Sequence, residues 1–313
     1  MRNMKKYISI LAIALLAVAC SKEIPYYPIL PDEEPVAKEK TILFASGAGK
    51  GSVHYDCEGS LAGKDINIYY YIPEGEIADM PVQFVIPGVA RNGSSYRNAW
   101  VSKADEYKVV ILTLDLDDEQ FSESMYQRGN IVNSAGAFND PDKMIFHLVD
   151  DVFEFFLQSS LSNATKYNVW GHSAGAQFTH RYMEFGTSNR VNRYIAANPG
   201  WYTFIDSSID FPYGIGDAET VIDFNRATVY GRPFTLMLGT ADTNRDSELR
   251  VTAEADAQGL NRFARGEKFF NTCKADAESR SLEFKWERVY VQGVAHDYTK
   301  MAPAAADYLY ANK

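Results

Sequence analysis

Cysteine and histidine are scarce in this 313-residue sequence, three of one and five of the other, and they fall at no metal-ligand spacing. No metal site is expected. Basic charge is also short: 31 Lys and Arg against 41 Asp and Glu give a net charge of −10, and no basic run is interleaved with aromatics. A nucleic-acid partner is excluded on that ground. No internal repeat and no second linker appears, so one catalytic or binding domain is expected. The chain is not short of apolar residues, at 46% hydrophobic and 23% charged, which places it outside the range of disordered sequences. Twenty Tyr, 18 Phe and 4 Trp suit either an ordinary core or a broad surface for sugars and aromatic esters.

The longest apolar run, Ile8 to Ala19, is too short to span a bilayer as a mature helix, and it follows Arg2, Lys5 and Lys6. This is the pattern of a signal peptide over residues 1–20. The run ends Leu16-Ala17-Val18-Ala19-Cys20, which resembles the lipobox at which bacterial signal peptidase cuts before the cysteine is acylated. Cys20 is therefore expected to carry a lipid anchor to the membrane, with simple cleavage to a soluble protein as the alternative. Ser21-Lys22-Glu23 resembles the export tag of outward-facing lipoproteins, so the expected place is the bacterial outer membrane, surface exposed, or else the periplasm or medium. Without Cys20, Cys57 and Cys273 remain, an even pair that forms a disulfide or stays as two buried thiols.

Residues 21–40 are rich in Pro, Glu and Lys and read as an extended tether, leaving 41–313 for the folded domain. Within it short β-branched or aromatic runs alternate with helix-like stretches: Ile66 to Ile72, Val82 to Ile86, Val109 to Leu114, Tyr167 to Trp170, Tyr194 to Ala197, Phe234 to Leu238 and Phe284 to Val291. That alternation predicts an α/β fold with a largely parallel sheet. The continuously apolar Val109 run is expected at its centre, and the Tyr69-Tyr70-Tyr71 and final strands toward its edges. Met144, Leu148, Val152, Phe155 and Phe156 mark a helix over Lys143 to Leu161. Gly47 to Ser52 lacks the Ser or Thr and the glycine spacing of a phosphate loop and reads as a turn.

Tyr167 to Trp170 reads as a strand, Gly171-His172-Ser173-Ala174-Gly175 as a tight turn, and Ala176 to Phe185 as a helix closed by Gly186. This is the setting in which a G-x-S-x-G serine is pushed out of a sheet. A serine hydroxyl is a weak nucleophile near neutral pH, so it needs an imidazole oriented by a carboxylate. Asp242 follows the Phe234 strand and His296 follows the last one, in the chain order that such a turn goes with. His180 lies within the helix after the serine, and Asp246 is the rival acid. The oxyanion is expected to meet the N–H groups of Ala174 and Val89, the latter in Ile86-Pro87-Gly88-Val89-Ala90-Arg91-Asn92-Gly93.

With these segments in this order, the chain resembles the α/β-hydrolase superfamily, and more narrowly its secreted esterases similar to polyhydroxybutyrate depolymerases and feruloyl or acetylxylan esterases. The resemblance runs from Ile66 to the C-terminus and rests on Gly88 to Asn92, Gly171 to Gly175, Gly239 to Asp242 and Gly293 to Asp297. It implies the α/β-hydrolase fold, a mostly parallel central sheet with helices on both faces, and a cofactor-free carboxylesterase acting on an ester substrate, with polysaccharide-linked esters and polyesters as the classes to test. Pro87 departs from the pattern, since such families often carry His before this glycine. Trp201 and Tyr202 are expected to wall the cleft, and Phe204 to Arg232 to form a lid or specificity segment. A serine peptidase on the same fold and a non-catalytic glycan- or lipid-binding lipoprotein stay open as alternatives.

Overall fold

The computed structural model describes residues 41–311. The expected signal peptide, Cys20 and the tether at 21–40 lie outside them. Eight strands form one sheet: β1 Gly49–Asp56, β2 Asp65–Ile72, β3 Val82–Ile86, β4 Val110–Asp115, β5 Tyr167–His172, β6 Val191–Ala197, β7 Phe234–Gly239 and β8 Glu287–Val291, in the order β1-β2-β4-β3-β5-β6-β7-β8. β1 and β2 pair antiparallel, as do β2 and β4, while every neighbour from β4 to β8 is parallel.

Side chains alternate across a strand, and here both faces are covered. Phe84, Leu112, Val169, Tyr194 and Leu236 point into one core beneath the helices His147–Gln158, Ala174–Phe185 and Arg262–Ser279. Their neighbours Val85, Ile111, Trp170, Ile195 and Met237 point into a second core, closed by Gly93–Tyr107 and Tyr298–Tyr310. Two-sided burial covers every residue of β3, β5 and β7, including the polar Gln83, Asn168, His172 and Thr235.

Three expectations are corrected. The Val109 run becomes β4, buried and interior but third from one edge, because a second antiparallel strand, β1, lies outside β2. Gly49 to Ser52, read as turn, opens that strand. The helix expected over Lys143 to Leu161 is shorter, His147–Gln158, with a 3₁₀ turn at Pro141–Lys143 before it.

Strand order reverses around β3, since β4 precedes it in the sheet and β5 follows. The loops leaving β3 and β5 therefore lie side by side, at the position where ligands bind in open α/β sheets. Their approach is so close that a Cβ on Gly175 would stand 2.0 Å from the Ile86 carbonyl oxygen, and one on Gly171 would stand 2.1 Å from that of Gly175. Both obstacles are backbone, which cannot swing aside. Gly175→Ala is expected to cost about 3 kcal/mol of stability, read as a lower urea midpoint by circular dichroism; an unchanged midpoint would contradict this packing.

Candidate active site

β5 ends at His172, the helix Ala174–Phe185 begins one residue after Ser173, and Ser173 takes φ 57°, ψ −116°. A side chain in that region carries about 1–3 kcal/mol of strain, tolerated only where the surroundings enforce it. The Ser173 N–H donates to the Ala197 carbonyl at 3.1 Å, pinning the elbow to β6. Its Oγ makes no hydrogen bond among the described residues. Ala174 is the first residue of the helix, so its N–H has no intrahelical acceptor and points where an oxyanion would form.

The other two loops converge on the same end of the sheet. Asp242 sits three residues beyond the end of β7 and is 2% exposed; His296 lies between β8 and the final helix. Their side chains meet through His296 Nδ1 and Asp242 Oδ2 at 2.7 Å. Asn198 ties the loops together: its Oδ1 accepts from the Gly239 N–H at 2.8 Å and its Nδ2 donates to the Ala295 carbonyl at 3.2 Å. The rival acid has another task, since Asp246 takes a bidentate pair from Arg262 at 2.6 and 2.8 Å. That guanidinium holds the Asp246 carboxyl below its ordinary range. It also stands 3.7 Å from Asp242 Oδ1, supplying the buried acid with a cation. Arg262 was not legible as a site residue, because it looks like any first residue of a helix.

Val89 is 49% exposed and lies in the cleft with Ser173 and Ala174. Its N–H meets no acceptor among the described residues. Pro87, where the resemblance implied His, is held through its carbonyl by the Tyr126 hydroxyl, and Arg91 lies 3.7 Å over the Tyr126 ring while donating to the carbonyls of Leu116 and Phe121. The loop is thus braced from the segment after β4.

The cleft, of about 230 Å³, is walled by Val89, Glu123, Gln177, Trp201, Arg250 and Arg262 around Ser173. Trp201 is fixed between Arg181, 4.2 Å from its ring, and Arg250, at 5.0 Å. Tyr202 does not join it. Its backbone is held to Gln258 through both N–H and carbonyl, and its ring stacks on Phe269 at 4.5 Å in the core. The Phe204 to Arg232 segment likewise puts no residue on this wall; it acts at one remove, through Tyr213, whose hydroxyl accepts from Arg250 Nε at 2.8 Å.

The remaining candidates have structural roles. His180 is buried and accepts from the Thr203 N–H through Nε2 at 3.2 Å. Cys57 and Cys273 are free buried thiols, so the disulfide alternative falls; burial pushes Cys57 up to about 11. A second Ser-His-Asp set occurs at the surface, Ser60 Oγ to His147 Nε2 at 2.9 Å and His147 Nδ1 to Asp151 at 2.7 Å. The single hydroxyl hydrogen of Ser60, however, is donated to the Asp142 carbonyl at 3.0 Å and so is not directed at His147. Among the described residues no group of three or more His, Cys, Asp or Glu is placed to hold a metal ion.

Poly(aspartic acid) hydrolase-1 from Sphingomonas sp. KT-1 superposes on this chain with a TM-score of 0.76 at 33% identity, over 83% of this chain and 97% of that one. This chain belongs to the α/β-hydrolase superfamily. The poly(3-hydroxybutyrate) depolymerase LpqC from Bordetella parapertussis shares 28% identity with this chain, with a TM-score of 0.79 over 85% of this chain and 90% of its own. An S-formylglutathione hydrolase from Agrobacterium tumefaciens, at 15% identity and TM-score 0.52 over 83% and 92% of the two chains, shares the fold. No family model matches the sequence, and a search of curated proteins returns no match.

Proposed function

We propose that the hydrolase cleaves a carboxylic ester through an acyl-enzyme on Ser173. The observation that carries this reading is the 2.7 Å bond between His296 Nδ1 and Asp242 Oδ2, set behind a serine held at a strained elbow. Asp242 keeps the imidazole proton on Nδ1, which leaves Nε2 to take the Ser173 proton as Oγ attacks the ester carbonyl. The N–H groups of Val89 and Ala174 hold the resulting oxyanion. His296 then protonates the leaving alcohol, and water, losing its proton to Nε2, releases the acid and restores Ser173. The Ser173–His296 bond, not made at rest, forms with substrate in place, as such contacts often tighten only in the complex.

Polar groups on the wall, Glu123, Gln177 and Arg250 beside Trp201, favour a substrate that carries hydrogen-bonding atoms beyond the scissile ester. Acylated polysaccharides and polyesters meet that condition, and the likeness to a poly(3-hydroxybutyrate) depolymerase supports the second. Likeness to a poly(aspartic acid) hydrolase favours one further reading, amide cleavage by the same triad. The signal-peptide pattern and Cys20 support a lipid-anchored enzyme at the bacterial outer membrane.

A fluorophosphonate probe tests the reading. Peptide mapping is expected to find the label on Ser173, and an acyl-ester panel is expected to be turned over faster than matched amides. Folded protein that takes no label, or labels elsewhere, would end the proposal; faster amide cleavage would replace it with the second reading.

A further inference from the structure

We propose that Arg250 is the specificity-determining residue of the cleft and takes a carboxylate that the substrate carries beyond its scissile ester, with Tyr213 of the Phe204 to Arg232 segment setting its aim. The inference rests on the ester-hydrolase reading. A guanidinium only donates, so the residue type fixes the direction of each of its bonds. Arg250 Nε donates to the Tyr213 hydroxyl at 2.8 Å, and Cζ lies 5.0 Å from the Trp201 ring centre. Its backbone is pinned as well. Arg265, fully buried, donates to the Arg250 carbonyl at 2.9 Å and to the Gly200 carbonyl at 2.8 Å, so one side chain holds both Arg250 and the residue before Trp201. The Arg250 side chain is 35% exposed and lines the cleft with Ser173. Its Nη2 has no acceptor among the described residues.

Charge around Trp201 and Glu123 is unbalanced. Glu123 offers one oxygen, Oε1, to two guanidinium groups, 3.4 Å from Arg250 Nη1 and 3.7 Å from Arg128 Nη2. Both contacts are long for a hydrogen bond. A third guanidinium, that of Arg181, lies 4.2 Å from the Trp201 ring centre and is fully buried. Its Nε and Nη1 meet the neutral acceptors Thr203, Gln127 and Gln177, and Nη2 has no partner among the described residues. Burial pulls it down to about 9, which leaves it charged at neutral pH. Glu184, three residues on along the same helix, makes no hydrogen bond among the described residues, and burial raises its carboxyl well above the usual range, so it does not cancel that charge. The other charges on the wall add little: Arg262 is satisfied by Asp246, and Glu248 is exposed to screening water.

A cation without a counter-charge, set behind a wall of low dielectric, attracts an anion more strongly than it would in water. Tyr213 occupies Nε of Arg250, which leaves the edge formed by Nη1 and Nη2 for a two-pronged bond to a carboxylate. Glu123 fills that edge only in part, and a substrate carboxylate takes its place. The Phe204 to Arg232 segment thus reaches substrate choice without lining the cleft.

The test is kcat/KM for the full chain on p-nitrophenyl hexanoate, p-nitrophenyl methyl adipate and p-nitrophenyl hydrogen adipate, which differ only at the far end of the acyl group. Pentyl butyrate and its 4-carboxybutyl counterpart place the same change on the alcohol side. The wild type is expected to prefer the carboxylate over its uncharged partner by about tenfold on one side or the other, and the preference is expected to shrink as salt is raised. Arg250→Gln is expected to abolish that ratio, and Arg250→Lys to keep part of it, since the charge stays and the fork is lost. Tyr213→Phe is expected to lower it severalfold, chiefly through KM, and Glu123→Gln to raise it. A merely structural role for Arg250 lowers turnover of all the esters together and leaves the ratio where it was. That result, or an active wild type with no carboxylate preference on either side, overturns the inference alone. If Arg250→Gln fails to fold, Glu123→Gln decides: a ratio that does not rise counts against the inference. A wild type inert to every ester and to the fluorophosphonate overturns the ester-hydrolase reading and this inference with it.

Discussion

Replacing Ser173 by alanine is expected to lower kcat/KM on p-nitrophenyl butyrate by about 10⁴-fold or more while leaving the fold as it is. The magnitude follows from chemistry: without Oγ no acyl-enzyme forms, and what remains is the help that Val89 and Ala174 give to direct attack by water. That fold-change corresponds to about 5.5 kcal/mol of barrier. The structural neutrality follows from the elbow. Ser173 Oγ has no hydrogen-bond partner among the described residues, and alanine carries the same Cβ through the same positive φ, so neither a contact nor the strain changes. Circular dichroism and melting temperature should match the wild type. Substantial turnover in clean, folded Ser173→Ala protein would remove the mechanism entirely.

Asp242→Asn is expected to cost about 10³- to 10⁴-fold in kcat. The carboxylate is 2% exposed and accepts the Nδ1 hydrogen at 2.7 Å. A carboxamide can turn its NH₂ toward that nitrogen instead, which drives the ring hydrogen to Nε2, the atom that must accept from Ser173. It also leaves the developing imidazolium without its buried counter-charge. Arg262 stays paired through its two bonds to Asp246, so the variant should fold. Asp246→Asn provides the contrast: it loosens Arg262 and leaves the His296 bond in place, so its effect is expected to be about tenfold or less. Equal losses in the two variants would mean that the assignment of the acid is wrong.

The Ser173 elbow and the Asp242–His296 pair are legible in the sequence because each residue stands just past a strand whose apolar run is visible. Ser173 has glycines where backbone crowds the turn, and such positions are legible without neighbours. Adjacency to Trp201 in sequence does not place Tyr202 in the cleft, because its ring is drawn into the core against Phe269. β1 was missed for a related reason: an edge strand such as Gly49 to Asp56 is half exposed and shows no apolar run, only alternation diluted by glycine. Glu123, Arg250 and Arg262 carry no local signal at all. They are polar residues on separate segments, and the fold alone makes them neighbours of Ser173.

Asn198 joins two loops that are far apart along the chain, through Gly239 and Ala295. A site held this way has no local seed. For the proposed mechanism the imidazole must be brought to the serine across about 120 residues of chain, and that entropy is offset by pairing the rest of the sheet, not by the site itself. Recovery of catalysis in refolding should therefore come late, after secondary structure, and make activity a sensitive marker for the completed topology.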